Sequence, residues 1–167
     1  MRALVQRVSR AHVTTNSEIV GSIAEGLVIF IGITHKDTEA DARYIVDKVT
    51  QLRILDNEQG KFTYSPVNVN AELLIISQFT LYADTRKGRR PNFSEAAEPG
   101  KAETMFDITV SLFKKTGLKV EKGHFGAHMN VSMENDGPVS IVLDSKNNQS
   151  THGKLTNEFD NTGNVHG

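Results

Sequence analysis

The residues best suited to chemistry lie in Ser77-Gln-Phe-Thr-Leu-Tyr-Ala-Asp84, where hydroxyl and amide groups follow an apolar run that is typical of a buried strand. In an extended strand, Gln78 and Thr80 would share the face opposite to Ser77. Polar groups at such a position need hydrogen-bond partners or a cavity. Two interpretations are open: the hydroxyls bond nearby backbone as the strand reaches solvent, or Ser77 or Thr80 reaches a substrate in a pocket.

A dense cationic cluster follows in Arg86-Lys-Gly-Arg-Arg-Pro91, with four positive charges within five residues. Such runs are commonly solvated loops, but clustered basic residues are also the usual footprint of polyanion binding. The whole chain has 19 basic and 20 acidic residues and a net charge of −1. It has no general attraction for nucleic acid, so any phosphate contacts would be concentrated in this cluster.

The segment Asn135-Asp-Gly-Pro-Val-Ser140 combines a hairpin signal with a proline. Asp-Gly between two strands favours a tight turn, whereas proline removes a hydrogen-bond donor from a sheet. One interpretation is a plain turn, with Pro138 opening an edge strand. The other is a fixed, cis Gly137-Pro138 unit that presents backbone to a ligand. Because only about 5–6% of X–Pro bonds are cis, general physics favours the plain turn.

Two histidines, His124 and His128, flank a glycine-containing segment. In a strand they would be about 13 Å apart at ~3.3 Å per residue, too far to bind one metal ion. The chain has no cysteine, which excludes disulfides, thiolate nucleophiles and cysteine-based zinc sites. We therefore expect neither a metal site nor a cofactor. A Ser/His/Asp triad stays open, although no nucleophile-elbow or phosphate-loop motif is present.

The length and apolar pattern of the chain predict a single domain. Its 167 residues suit one hydrophobic core. The longest apolar run, residues 26–33, is far shorter than the ~20 residues of a membrane-spanning helix. The first ten residues lack the apolar stretch of a signal peptide. These features predict a cytoplasmic protein with no membrane contact.

The predicted secondary structure is rich in strands, and two helices flank them. Helices are predicted from Thr38 to about Leu52 and over residues 101–115, from apolar positions at helical spacing. Strands are predicted at 3–8, 11–15, 18–23, 26–34, 53–56, 72–82, 118–122, 127–134 and 139–144, with a turn at Asn16-Ser17. The helices do not alternate regularly with the strands, so we expect an α+β fold with an antiparallel-rich sheet or barrel. Residues 145–167 are polar and predict a flexible tail after a domain over 1–144.

Five motifs carry a family resemblance, and they occur in this order: Val5-Gln-Arg-Val8, Ser77-Gln-Phe-Thr-Leu81, Lys87-Gly-Arg-Arg-Pro-Asn-Phe93, Phe125-Gly-Ala127 and Asn135-Asp-Gly-Pro-Val-Ser140. Together they closely resemble the D-aminoacyl-tRNA deacylases, also called D-tyrosyl-tRNA deacylases. The resemblance spans about residues 1–144. The last motif of the family usually ends in threonine, and Ser140 keeps the hydroxyl group.

The resemblance implies an ester hydrolase without cofactor, which releases D-amino acids, and glycine mischarged on tRNA(Ala), from the 3′ end of tRNA. It also implies a homodimer with the site at the subunit interface. Ser77, Gln78, Phe79 and Thr80 would form the catalytic strand end that holds the terminal adenosine and ester. The other implied site residues are Ala102, Phe125 and Met129 in the walls, Gly137 and Pro138 as a cis unit from the partner, Arg7 as the support of that unit, and Arg86, Lys87, Arg89 and Arg90 as phosphate contacts.

Three other functions compete with this expectation. A nucleic-acid-binding module would use the same basic cluster without catalysis. An esterase for small esters would use a serine or threonine nucleophile, with one of the six histidines as its base. An oligomeric scaffold would use the Gly137-Pro138 loop only to seal a dimer.

Overall fold

The computed structural model describes residues 1–150 of the chain. Three helices and eight strands are present within this part: β1 (Arg2–Thr15), β2 (Glu18–Ile23), β3 (Gly26–Gly32), α1 (Glu39–Gln51), β4 (Leu55–Asp56), β5 (Phe62–Tyr64), α2 (Pro66–Val69), β6 (Glu72–Ser77), α3 (Pro99–Lys114), β7 (Val120–Lys122) and β8 (Asn130–Asp144). Two 3₁₀ turns follow β6 and β8, at Phe79–Tyr82 and Ser145–Ser150.

The long strand β1 organises the main sheet. It pairs antiparallel with β8 along one edge, and with β3 and then β2 along the other. Strand β6 lies parallel to β3, and β7 lies parallel to β6. A methyl group placed at Gly21 of β2 would lie 3.2 Å from the carbonyl oxygen of Lys122 in β7. The sheet therefore curls almost into a closed barrel, and α1 and α3 flank it, which confirms the predicted α+β class.

Apolar side chains fill both faces of this curved sheet. One cluster lies between the sheet and the two long helices and includes the fully buried Ile29, Ile45 and Phe106. The other lies on the concave side and includes Val28 and Leu74. Each such side chain contributes roughly 1.5–3 kcal/mol on burial, so the two clusters hold the strand ends in place.

The start of α1 is tied to the end of β8. The Asp41 carboxylate accepts hydrogen bonds from the Thr38 N–H and hydroxyl, both at 2.9 Å, and from the Ser145 hydroxyl at 2.7 Å. Burial acts to raise the pKa of Asp41, but the hydrogen bonds from Ser145 and Thr38 outweigh it and hold the pKa below its ordinary value. The predicted helix start at Thr38 is confirmed.

The predicted strand over residues 72–82 is wrong beyond Ser77. Strand β6 ends there, and residues 79–82 form a 3₁₀ turn that is closed by a 3.2 Å hydrogen bond from the Leu81 N–H to the Gln78 carbonyl. A methyl group at Gly32 would lie only 2.9 Å from the Leu81 Cβ. The absence of a side chain at Gly32 therefore lets the turn fold back onto β3, and the strand alternation expected for Phe79 and Thr80 does not hold.

Of the two interpretations of residues 135–140, the plain hairpin turn is wrong, whereas the cis Gly137–Pro138 bond is present. Strand β8 runs continuously beside β1, so the two strands expected at 127–134 and 139–144 are one. Gln6 pairs with Ser140 and Val8 pairs with Asn135, so four residues of β8, 136–139, lie opposite Arg7 alone. We call residues 136–139 the bulge. The Asn135 side chain accepts the Val139 N–H at 2.8 Å across it, and the Gly137–Pro138 bond within it is cis.

Within residues 1–150, each helix is too short or too polar to cross a membrane. The flexible tail predicted for residues 145–167 falls largely on residues 151–167, which lie outside the described part, and it stays a prediction. Ser145, at the start of that range, is buried.

Candidate functional site

A cavity of about 590 Å³ opens where the parallel strands β3 and β6 end, beside the start of α3. Its lining is mainly apolar, and it includes six of the residues predicted for the site: Ser77, Gln78, Phe79, Ala102, Phe125 and Met129. The tertiary structure therefore brings together residues that are up to 52 positions apart, from 77 to 129. Ser77 lines the cavity, as the pocket interpretation requires, and its contact with a substrate stays a prediction.

Three contacts hold residues that line the cavity. The Gln78 N–H donates to the Ile31 carbonyl at 2.8 Å, which holds the end of β6 against β3. The Phe125 ring packs against the buried Phe106 of α3, with 5.9 Å between ring centroids. A methyl group at Gly123 would lie 2.5 Å from the Met129 sulfur, so this glycine leaves room for Met129 to reach the cavity.

Thr80 lies just outside the cavity lining and is exposed. Its hydroxyl accepts a hydrogen bond from the Gln78 side-chain amide, which is its partner among the described residues. An amide cannot take a proton from a hydroxyl group. The geometry therefore provides Thr80 with an orienting neighbour, rather than with the base that a nucleophile needs.

Two backbone donors are available beside Thr80. Phe79 and Thr80 begin the 3₁₀ turn, and the first N–H groups of a helical turn have no acceptor within it. The Phe79 side chain is 57% exposed at the edge of the cavity. The two N–H donors and the exposed Phe79 ring therefore lie at the same edge of the cavity.

The bulge lies away from the cavity of its own chain. Gly137 and Pro138 are exposed, and neither they nor Arg7 line the cavity. The guanidinium group of Arg7 is buried and donates to the carbonyls of Asp136 and Ile54, both at 2.9 Å. It also contacts the Asp56 and Asp136 carboxylates at 2.9 and 3.4 Å. Arg7 thus supports the bulge, as the resemblance implies.

The basic cluster occupies an exposed loop after the 3₁₀ turn. Its first member, Arg86, is paired with Asp84, whose carboxylate accepts two side-chain bonds at 2.7 and 2.8 Å. The Arg86 hydrogen bond holds the pKa of Asp84 well below its usual range. Within the described part of the chain, Lys87, Arg89 and Arg90 form no ion pair, so three of the four cations are unneutralised.

Comparison with known families identifies the family of this chain. A family described as "D-Tyr-tRNA(Tyr) deacylase" matches residues 4–144. The chain belongs to the D-Tyr-tRNA(Tyr) deacylase family. This membership confirms the resemblance that the five motifs carry, and the match begins within β1 and ends with β8.

Relatives of this deacylase family match the chain along most of its length. A D-aminoacyl-tRNA deacylase of Halothermothrix orenii is 54% identical over 145 residues, which are 87% of this chain and 97% of the relative. One of Bacillus cereus is 52% identical over 146 residues, which are 87% of this chain and all of the relative. A solved "c-Myc DNA Unwinding Element Binding Protein" is 37% identical with a TM-score of 0.81, covering 86% of this chain and 98% of its own.

A second solved structure supports the fold alone. It is described as a probable eukaryotic D-amino acid tRNA deacylase, and it is 16% identical with a TM-score of 0.76, covering 85% of this chain and 97% of its own. The deacylase fold is therefore retained at an identity too low to compare individual site residues.

Sequence reasoning missed a second group of lining residues. Ile31 and Ile33 come from the end of β3, and Ala96, Ala97 and Pro99 come from the approach to α3. Small residues before a proline at the start of a helix would have been a usable signal, since proline is favoured at the first helical position.

His128 also lines the cavity, whereas His124 does not. Among residues 1–150, no three His, Asp or Glu side chains are grouped to hold a metal ion.

Proposed function

We propose that this chain acts in the cytoplasm as a homodimeric D-aminoacyl-tRNA deacylase. It hydrolyses the ester between a D-amino acid and the 3′-terminal adenosine of tRNA, and it also removes glycine from tRNA(Ala). Membership of the deacylase family supports the basic activity. The observation that carries the detailed proposal is the cavity that gathers Ser77, Gln78, Phe79, Ala102, Phe125 and Met129.

The cavity suits the terminal nucleoside and its ester. Ligand sites of this size are mainly apolar, with a few polar groups that set the orientation of the ligand. Here the apolar walls would take the adenine, and the exposed Phe79 ring offers a surface for stacking, which is worth ~1–3 kcal/mol per base. Ser77 and Gln78 supply the polar groups at the end of β6.

The chirality of the substrate would be tested by a rigid wall. A D-residue and an L-residue differ by the exchange of the side chain and the hydrogen at Cα. Backbone placed where the L side chain would point excludes L-residues by steric clash. We assign this wall to Gly137 and Pro138. Glycine has no side chain to clash, so the same wall would admit glycyl esters.

A second copy of the chain would place the wall over the cavity. The bulge cannot act as a wall in its own chain, because it does not line that chain's cavity. Beside it, Leu4 pairs directly with Phe30 and with Val142, so the three apolar side chains share one face of the sheet. Val142 is 69% exposed on that face. Association of two copies there would bury this apolar surface.

The hydrolytic step needs little from side chains, because an aminoacyl ester is already reactive. Water would attack the ester carbonyl with help from the 2′-hydroxyl of the terminal ribose. The Phe79 and Thr80 N–H groups would donate to the oxyanion of the tetrahedral intermediate. Collapse of that intermediate breaks the bond between the carbonyl carbon and the 3′-oxygen, which takes up the proton lost by the attacking water, and it releases the 3′-hydroxyl of tRNA and the free amino acid. The Gln78 side-chain amide donates to the Thr80 hydroxyl and so orients Thr80 at this edge of the site.

The basic cluster would hold the tRNA backbone near its 3′ end. Lys87, Arg89 and Arg90 are exposed and lack ion pairs among the described residues. Arg86 is also assigned to this surface, although its pairing with Asp84 reduces its share. A local contact of this kind suffices for a chain with a net charge of −1.

The first test is hydrolysis of matched D-tyrosyl-tRNA, L-tyrosyl-tRNA and glycyl-tRNA(Ala) by the purified protein. We expect rapid loss of the D and glycyl esters, with the L ester spared, because only an L side chain meets the wall. Ala102→Phe, which fills the cavity, is the matched inactive control. Equal loss of D and L esters would contradict the chiral wall, and tRNA binding without hydrolysis of any ester would favour the binding module.

The second test concerns the role of Thr80. Thr80→Ala should slow D-ester hydrolysis by about two- to tenfold, the equivalent of one hydrogen bond, whereas Thr80→Ser should stay close to the parent. Single-turnover kinetics measure the rate, and mass spectrometry searches for an acyl-enzyme. Complete loss of activity in a folded Thr80→Ala protein, or an ester trapped on Thr80, would show instead that Thr80 is a nucleophile.

The third test uses mixed dimers to show which subunit supplies the wall. Gly137 has φ +129°, and a methyl group there would lie 2.7 Å from a Val139 methyl carbon. Gly137→Ala should therefore distort the bulge and impair discrimination between D and L esters. Ala102→Phe should block the cavity of its own chain. Each variant is first measured as a homodimer.

Mixing the two variants should restore D-specific hydrolysis, because the open cavity of the Gly137→Ala chain then faces the intact bulge of the Ala102→Phe chain. The rate should approach half that of the parent per mixed dimer. The control is a mixture of the Gly137→Ala chain with a chain that carries both substitutions. D-specific hydrolysis should not recover in it, because neither chain has an intact bulge. If both variants fold and exchange subunits but the first mixture does not recover D-specific hydrolysis, the wall belongs to the same chain as the cavity.

The fourth test measures how tRNA binding depends on salt. Neutralising Lys87, Arg89 and Arg90 to Gln should weaken tRNA binding and reduce the slope of log K against log salt concentration by about 0.7–0.9 for each phosphate that the variant no longer neutralises. Arg53, Lys114 and Lys115, which are exposed elsewhere, provide a triple Gln variant of equal charge change. If the two triple variants show the same slope as the parent, the basic cluster does not bind phosphate.

A further inference from the structure

Residues 93–97, which we call the strap, border the cavity just before the start of α3. Ala96 and Ala97 line the cavity directly. The strap belongs to no regular element of the described fold, yet it is attached to the end of β3. Thr34 forms an antiparallel bridge with Ala96, and the Ala97 N–H donates to the Ile33 carbonyl at 2.9 Å.

The Thr34 side chain adds a further attachment. Its hydroxyl donates to the Glu95 carbonyl at 2.6 Å, and the residue is 2% exposed. The position of Thr34 is itself set, because its N–H donates to the buried Asp37 carboxylate at 2.9 Å. Because the Thr34 backbone is anchored to Asp37, the hydrogen bond from the Thr34 hydroxyl can determine where the strap lies.

The other end of the strap touches the rim of the cavity. The Phe93 ring packs edge-to-face on Phe79, with 4.9 Å between centroids and 67° between ring planes. Phe79 is one of the residues that we assign to the substrate site. A shift of the strap would therefore move the Ala96–Ala97 wall and the Phe79 ring together.

We propose that Thr34 is a positioning residue of the site: its hydroxyl sets the strap and thereby the fit of the 3′-terminal nucleoside of tRNA. The inference rests on the proposed function for the identity of the ligand. Thr34 acts through the strap and does not itself contact the substrate. Its effect is on binding, because the strap forms a wall and contacts Phe79 through the aromatic ring, whereas the oxyanion is assigned to the Phe79 and Thr80 backbone N–H groups.

The test compares Thr34→Val, which keeps the shape of the side chain but loses the donor, with Thr34→Ser, which keeps the hydroxyl. Thr34→Val should raise KM for D-tyrosyl-tRNA about five- to tenfold with kcat within twofold, while Thr34→Ser stays within twofold in both. Thr50→Val is the matched control. The Thr50 residue is 3% exposed and its hydroxyl donates to the Val46 carbonyl at 2.8 Å within α1. It should change thermal stability without changing KM.

Hydrogen exchange provides a readout that needs no substrate. In Thr34→Val, the Ala97 amide should exchange at least several times faster than in the parent, and Thr34→Ser and Thr50→Val should not show this change. An unchanged KM in a folded Thr34→Val protein, or the same KM change in Thr50→Val, would overturn the role in positioning. If the parent itself hydrolyses no aminoacyl-tRNA, the proposed function fails, and exchange at Ala97 still decides whether the hydroxyl holds the strap.

Discussion

Pairing of β1 along both of its edges fixes the positions of the other strands in the main sheet. One edge carries β8 over nearly its whole length, and the other carries β3 and β2 in turn. Because β3 is fixed in this way, the parallel strand β6 has one position beside it, and both strands end at the same place. The cavity lies at that common end. The curvature that nearly closes the sheet leaves the cavity accessible beside α3.

The same pairing creates the bulge and determines its support. Four residues of β8 lie opposite Arg7, so the surplus backbone must leave the plane of the sheet. A buried guanidinium group requires several acceptors to compensate for the loss of water. Here two carbonyls and two carboxylates provide them, from the bulge and from the β4 region. The charge of Arg7 thus joins the bulge to the neighbouring β4–β5 hairpin, where its guanidinium also lies 5.4 Å from the centre of the Phe62 ring.

The bulge and the cavity are each held by their own contacts, and the bulge does not line the cavity of its own chain. This separation is the physical reason for placing the proposed site between two subunits. Four segments of one chain line the cavity. The wall that excludes L-residues would come from the bulge of the second copy. In such an arrangement, stereochemical selection depends on backbone shape, and the side chains near Thr80 serve mainly to orient the ester.

Features that follow short-range patterns could be predicted from the sequence. Apolar spacing predicted α1 and α3 and their buried faces, Thr38 marked the start of α1, and the Asn16-Ser17 turn lies where it was expected, with both residues at positive φ. The ordered motifs also identified the family and six residues of the cavity. Each of these depends on local backbone preference or on residues that the family shares.

Other features arise where a long-range contact overrides local preference, and these could not be predicted from the sequence. An apolar run over residues 72–82 favours a strand, but the close approach of Leu81 to Gly32 turns the chain at Ser77. Asp136-Gly137 favours a hairpin, but the pairing of β8 with β1 on both sides of it makes a bulge. The strap and its attachment through Thr34 had no local signal, because that hydrogen bond joins residues 61 positions apart. Local preferences amount to about 1 kcal/mol per residue, which is less than the packing and pairing energy that these long-range contacts provide.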